Sequence, residues 1–505
     1  MQNRTMSSAC NLDAGDTAFV LIGAVMILFM MTSLALFEGG LLRSNNTLSI
    51  LMSIMTSIVA NSVVWLLFGY SLVFGTDQGG FIGSVDYVGF RNVSNFDCNP
   101  TYATTIPHSS FAFFEMMFFV ISPLLITGAY AERVGARTSL VFGLLWNILV
   151  YMPVAHWIWS EHGWLKQRGV LDFAGGIVIH TTAGAASVVS ALFMGRRVGF
   201  EIVHGEFPPS NLPLATIGAA GLWVGWFFFN GASALRANGV AMSAALSTQI
   251  GGSMCAMMFY IFSSIWTRNK PSFTAVLNGI VAGFAGITPA SGYISSAGTI
   301  GLGVVLGLSF WSSLLMKHKL RVDDALDVSS VHGLTGVIGS LAVGLLATTS
   351  EQAPVDGVFY GGEWSFFGWQ CVAVLVTALW SALWTWAIWF LMNKVRRVRY
   401  SIIEETNGVG LDIHDHGEAA YHGLVLRGRE PLFERLLDEL EDREGGGAPS
   451  AVAPTSAPAP INAGDAEMAE SERSFSSVAE MTRADKKKLL LRVAQSSRRG
   501  PAARS

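Results

Sequence analysis

The chain has 505 residues, 51% of them hydrophobic and only 13% charged, with a formal net charge of -4 and a positive mean hydropathy. The charges gather at a few points between long apolar runs, a pattern that excludes a soluble globular domain and defines a polytopic membrane protein. Basic patches interleaved with aromatic residues are lacking, so nucleic acid is not an expected partner.

In chain order, residues 1–16 lack the basic flank and cleavage pattern of a signal peptide and read as an extracellular terminus. Apolar segments follow at about 17–42, 48–75, 110–131, 137–159, 173–194, 212–230, 239–266, 273–288, 298–316, 330–348 and 367–392. They predict an all-α integral membrane protein with eleven transmembrane helices over residues 17–393. The segment at 273–288 is short and glycine-rich, as expected of a helix packed among others or broken near a site. The fifth segment opens with Asp172-Phe173-Ala174-Gly175-Gly176 and reaches His180, so two ionisable residues are predicted in one membrane helix. A charge at mid-helix costs roughly 2.5–3.5 kcal/mol on insertion scales, which makes such residues functional candidates. At a helical rise of about 1.5 Å per residue, Asp172 falls near one membrane face and His180 about 12 Å deeper.

After the last helix, residues 394–444 read as a cytosolic region, with Leu432, Phe433, Leu436, Leu437 and Leu440 predicting a short amphipathic helix over 431–444. From 445 to 505 the composition turns to Gly, Ala, Pro and Ser, predicting a disordered tail.

Orientation follows from the connections. With the amino terminus outside, the inner loops carry fourteen Lys and Arg residues, and the outer loops with the terminus carry five. This positive-inside asymmetry sets the orientation, and an odd number of helices puts the carboxyl terminus in the cytosol of a multi-pass cell-membrane protein. The outer loops hold Asp77, Asp86, Asp97, Glu351, Asp356 and Glu363, an acidic surface that suits a cationic solute or simple solubility. Asn3 and Asn92 stand in N-glycosylation patterns on that side. Cys255 and Cys371 lie in apolar runs, whereas Cys10 and Cys98 lie in polar outer segments where they are able to pair.

The chain also repeats itself. Asp324 precedes His332 by the same eight residues that separate Asp172 from His180, and each histidine is followed four residues later by a glycine, Gly184 or Gly336. Phe37-Glu38-Gly39-Gly40 in the first span is echoed by Phe229-Asn230-Gly231-Ala232 in the sixth, and Ser122-Pro123 in the third by Thr288-Pro289 in the eighth. Five spans separate the members of each pair, and five is odd, so the halves form a 5+5 inverted-topology repeat plus a final helix. In that architecture the site lies at the repeat interface near the midplane.

A single histidine in a helical bundle is more often a hydrogen-bonded packing residue than part of a conduction path. Two at equivalent repeat positions, with small neighbours, favour function. Two imidazoles without a third ligand make a poor closed metal site, and neither Cys-x-x-Cys nor His-Glu-x-x-His adds to them. Neither a metal nor another cofactor is expected. Asp172 and Asp324 fall at or just before helix starts, where a carboxylate caps backbone N–H groups, and capping suits Asp324 in particular.

The sequence resembles the ammonium transporter and methylammonium permease family, on its ammonium transporter side. The resemblance is carried by Asp172-Phe173-Ala174-Gly175-Gly176 with His180, Gly128-Ala129-Tyr130-Ala131-Glu132-Arg133, Ala155-His156-Trp157-Ile158-Trp159, Gly225-Trp226-Phe227 with Phe229-Asn230, Arg321-Val322-Asp323-Asp324, and Gly410-Leu411-Asp412 with His416-Gly417-Glu418. It implies a transporter rather than an enzyme, a homotrimer in the lipid bilayer, and ammonium or methylammonium as the solute. Phe114, Phe118, Trp159 and Ser233 would form an external cation site organised by Asp172. Phe118 and Phe229 would gate the pore, His180 and His332 would line it, and Asp324 and Asp172 would serve structurally or on a proton path. Ammonium would lose its proton near the gate, cross as ammonia and regain a proton inside. A cytosolic regulator of the tail is a further implied partner, and an ammonium receptor signalling through that tail is the alternative.

Three residues depart from the family pattern. Glu115 stands where glutamine is common and is expected to add negative potential at the outer vestibule. Glu38 stands where tyrosine is common, and His414 where plant relatives carry a regulatory threonine.

Overall fold

The computed structural model describes residues 10–203, 205–266, 272–400 and 410–421. The expected amphipathic helix at 431–444, the tail from 445 and the Asn3 pattern lie outside these residues.

Among the described residues, ten helical stretches are long and apolar enough to cross a membrane, and Phe273–Ile287 is a shorter apolar helix. The helices are α1 (Ala14–Leu41), α2 (Thr47–Val64), α3 (Tyr70–Phe74), α4 (His108–Tyr130), α5 (Ala136–Trp146), α6 (Met152–Trp159), α7 (Thr182–Met194), α8 (Leu212–Gly231), α9 (Gly239–Trp266), α10 (Phe273–Ile287), α11 (Ser296–Leu320), α12 (Thr335–Leu346) and α13 (Trp364–Val395). Four π-helical turns are built into the spanning stretches: Trp65–Gly69 joins α2 to α3, Asn147–Tyr151 joins α5 to α6, Gly176–Thr181 opens α7, and Ser329–Leu334 opens α12. Wide turns of this kind are frequent at functional sites. The α10 helix is short because it is enclosed: every residue from Leu277 to Ile287 is buried, so neighbouring helices, not lipid, surround that stretch.

Close packing of α1 on α8 shows how small residues set the fold. A Cβ on Gly218 would collide with the Phe37 backbone, one on Gly221 with Ser33, and one on Gly225 with Met30. The pairing order falls along α1 as it rises along α8, so the first and sixth spans run antiparallel, as an inverted repeat requires. Without a hydrophobic drive between helices in lipid, such backbone approach is what gains van der Waals contact.

At one end of the bundle the 75–107 excursion forms two small antiparallel pairs, β1 (Asp77–Gln78) with β2 (Ile82–Gly83) and β3 (Cys98–Asn99) with β4 (Ala103–Pro107). Cys10 is disulfide-bonded to Cys98 across 88 residues. The Asn11 and Asp13 N–H groups donate to Thr104 and Thr105 carbonyls, so the chain's start is tied to this end. At the other end, residues after α13 fold back onto the bundle. The Asp412 carboxylate accepts from the Leu48 and Ser49 N–H groups at the start of α2, at 3.0 and 2.8 Å, and the Tyr400 hydroxyl donates to Asp415 at 2.6 Å.

Candidate functional site

Asp172 does not lie inside a helix. Its segment is non-helical, Gly175 has φ +111°, a value that L side chains avoid, and the helix begins at Gly176. The turn lets one carboxylate cap the π-helical start. Oδ1 accepts from the Gly175 and Gly176 N–H groups at 2.9 and 2.7 Å, and Oδ2 from Ile177 and Val178 at 2.8 and 3.0 Å. Burial raises the Asp172 pKa while these four donors pull it down. The α-helical offset expected between Asp172 and His180 therefore does not apply, because Asp172–Gly175 is not helical and Gly176–Thr181 is wider than an α-helix. The Asp172 carbonyl also accepts the Trp159 indole N–H at 3.0 Å, which sets the orientation of that ring.

Around Trp159 the aromatic rings assemble. Phe118 lies 5.9 Å from Trp159 edge-on, 5.0 Å from Phe114 and 4.6 Å from Phe229, centroid to centroid. Phe114 and Phe118 are one turn apart on α4 and so share a face. The Ser233 hydroxyl donates to the Phe229 carbonyl at 2.8 Å, which leaves its oxygen lone pairs available as acceptors.

Beyond Phe229 come the histidines. The His180 ring lies 6.2 Å from Phe229 and 5.1 Å from His332, nearly parallel to the latter. The two Nδ1 atoms are 3.2 Å apart, and both side chains are buried. One ring must donate and the other accept, so the pair holds a single hydrogen on that line. Two glycines permit the approach: a Cβ on Gly184 would clash with Gly333 Cα at 2.0 Å, and one on Gly336 would meet His180 Cβ at 2.7 Å.

Trp226 flanks both histidines, at 5.7 Å from His180 and 6.4 Å from His332. Its indole N–H is taken by Thr288 at 2.9 Å. Its spacing of three from Phe229 on α8 is the signal that places both rings on one face. Asp324 caps as expected, accepting from the Ser329 N–H at 2.7 Å and its hydroxyl at 2.6 Å, and Lys317 donates to the Asp324 carbonyl at 3.1 Å.

Of the departures, Glu38 alone is fully interior. Glu38 is buried and accepts from Thr127 Oγ1 at 2.9 Å. Glu115 is half-buried, and its Oε2 is shielded from solvent with no hydrogen-bond partner among the described residues. At the far end of the bundle, sequence reasoning missed a buried ionic cluster. Glu132 accepts from Arg43 Nε at 2.8 Å and Arg197 Nη1 at 3.0 Å, and Arg197 also pairs with Asp323 at 2.8 Å. The Phe207 ring lies 4.1 Å from the Arg197 guanidinium and 5.1 Å from that of Arg43. Burial opposes the Glu132 charge, yet Arg43 and Arg197 hold its pKa down to about 2. The family-like Glu132-Arg133 and Asp323 were visible in the sequence, but their partners are far off in the chain.

A multi-pass helical bundle with paired histidines buried behind an aromatic cluster defines an integral membrane protein built around an internal polar site. The chain belongs to the Ammonium Transporter Family, whose model matches residues 18–421. It is 53% identical to ammonium transporter 1 of Dictyostelium discoideum over 84% of this chain and 91% of that protein. It is 39% identical to the ammonium transporter of Bacillus subtilis over 81% of this chain and 98% of that protein. Among solved structures, Mep2 of Saccharomyces cerevisiae superimposes with a TM-score of 0.72 at 29% identity, covering 78% of this chain and 89% of that one. A structure described as a sensor Amt protein gives 0.72 at 28%, covering 80% and 98%. The relatives are named as transporters, and ammonium transport across a membrane is the activity this family membership supports.

Proposed function

We propose that the chain moves ammonium by recruiting NH4+ among Phe114, Phe118, Trp159 and Ser233, removing one proton, and passing NH3 along His180 and His332 to the inner side. The orientation is amino terminus outside, from the distribution of Lys and Arg, and the assembly is a homotrimer. Aromatic faces attract a desolvated cation by about 2 kcal/mol each, and a hydroxyl oxygen accepts one of its N–H donors. An intact cation does not enter a buried apolar lumen without a large desolvation cost, whereas neutral ammonia does. The Phe118–Phe229 contact excludes hydrated ions, and Asp172 acts by holding the histidine-bearing turn and the Trp159 indole.

The observation that carries this reading is the 3.2 Å Nδ1–Nδ1 contact of two neutral-compatible imidazoles directly behind stacked Phe229. Growth rescue of an ammonium-uptake-deficient cell, together with ammonium-evoked current, tests it. The wild type rescues, and His180→Ala and His332→Ala each lose most of the flux. Wild-type flux in both variants would sink the twin-histidine path, and ammonium binding without flux in the wild type would favour the receptor alternative.

A further inference from the structure

Between α6 and the 75–107 excursion lies a histidine–carboxylate pair that the transport reading leaves unused. The His156 side chain is fully enclosed, and both of its ring nitrogens face acceptors: Nδ1 lies 2.6 Å from the Val73 carbonyl and Nε2 2.8 Å from Asp77 Oδ1. A neutral imidazole has a single N–H and donates to one of the two; only the imidazolium donates to both. The surroundings suit the cation. Val73 lies in the last turn of α3 and His156 in the last turn of α6, where carbonyls lack partners within the helix and the helix dipole is negative. Burial pushes the Asp77 carboxyl up, yet the bond from His156, the Gly80 N–H and the His156 and His162 charges hold it below the usual carboxylate range. Of the charged groups in the following turn, Lys166 pairs with Glu161 and Arg168 lies over the Trp369 ring, which leaves Asp77 as the counter-charge of His156.

This pair fastens the β1–β2 hairpin and the end of α3 to α6. Two further bonds run between the same parts of the chain: the Trp157 indole N–H donates to the Phe81 carbonyl at 2.9 Å, and the Trp164 N–H donates to the Gly80 carbonyl at 3.1 Å. Trp159 is the last residue of α6, three residues after His156, so the two side chains share a face of the helix. Helix ends fray unless they are tied. The end of α6 is tied through the Trp159 indole, which donates to the Asp172 carbonyl, and through the ring of His156 one turn earlier.

Resting on the transport reading above, we propose that His156 is a buried imidazolium that acts as a positioning residue for ammonium recruitment, fixing the end of α6, and with it the Trp159 ring, through the Val73 carbonyl and the Asp77 carboxylate. It touches no solute and exchanges no proton with it. Its charge is what lets one ring hold two acceptors at once, and Asp77 keeps that charge in place. Without the charge one of the two bonds is lost, and the Trp159 face is presented to the cation less often in the right orientation.

The test uses the full-length protein in liposomes, with isotope-labelled histidine read by nitrogen NMR. At neutral pH the wild type shows a ring with both nitrogens protonated that is missing from His156→Phe; Asp77→Asn turns that ring neutral, and Asp77→Glu keeps it charged. In methylammonium uptake, His156→Phe and Asp77→Asn raise the half-saturating concentration by roughly tenfold, the change to which loss of one charged hydrogen bond converts. Maximal flux stays near that of the wild type, and Asp77→Glu keeps the wild-type half-saturation. If His156→Phe fails to assemble, Asp77→Asn, on the partly exposed member of the pair, decides. A neutral His156 ring in the wild type overturns the proposal, as does a fall in maximal flux with unchanged half-saturation, which would assign the pair to assembly alone. Either result in a wild type that transports rejects the role of His156 and keeps the pore. A charged ring in a wild type that does not transport rejects the transport reading and the positioning role with it.

Discussion

Gly184 and Gly333 meet backbone to backbone beside the histidine pair, and the contact is asymmetric. A Cβ on Gly184 would stand 2.0 Å from the Gly333 Cα, whereas one on Gly333 would stand 3.0 Å from the Gly184 Cα. Gly184→Ala must push the two histidine-bearing elements apart, and Gly333→Ala needs only a shift of a few tenths of an ångström. Overpacking of this kind costs about 1–3 kcal/mol. We predict that Gly184→Ala lowers both the thermal midpoint in detergent and the flux more than Gly333→Ala does. Equal effects would mean that the crossing can slide.

Asp172→Asn should act on stability before it acts on the solute. The amide places an NH2 against two of the four backbone N–H groups that now face carboxylate oxygen, and each unsatisfied buried donor costs about 1–3 kcal/mol. The expected result is a lower thermal midpoint in the absence of ammonium. An unchanged midpoint with weakened ammonium affinity would show that the carboxylate serves the solute directly.

Glu132 gives a pH prediction with a defined sign. Its pKa is lowered from 4.5 to about 2 in the folded protein. The stabilisation is therefore fully present above pH 4.5 and is lost as pH falls toward about 2. Glu132→Gln leaves the Arg43 and Arg197 charges buried without it and should cost roughly 3–5 kcal/mol at neutral pH. Thermal unfolding from pH 7 down should show that the gap between variant and wild type narrows only below pH 4.5. A gap that does not change on acidification below pH 4.5 would place the Glu132 pKa near its ordinary value.

The helices were legible because a bilayer demands about twenty apolar residues per crossing, and the expected segments agree with the observed helices to within a few residues at most ends. The recurrence of Asp-x7-His with a glycine four residues later foretold which histidines pair, since a repeat interface brings equivalent positions together. Asp172 was legible as a polar residue at a helix start. That its segment turns at Gly175 and that the next turn is π-helical were not, because hydrophobic periodicity over six residues does not separate 3.6 from a wider turn. Trp226 carried a readable signal in its spacing from Phe229, and Cys10 and Cys98 in their polar settings.

By itself the sequence determined the membrane class, the positions of the apolar helices and the pairing of His180 with His332, all of which follow from local hydropathy and from internal repetition. The tertiary structure alone decided that Glu115 Oε2 is shielded from solvent. It alone brought Arg43, Glu132, Arg197 and Asp323 into one buried cluster. The physical reason is shared by both: a side chain's protonation and role depend on what desolvates it and which donors it meets, and those neighbours come from helices distant in the chain.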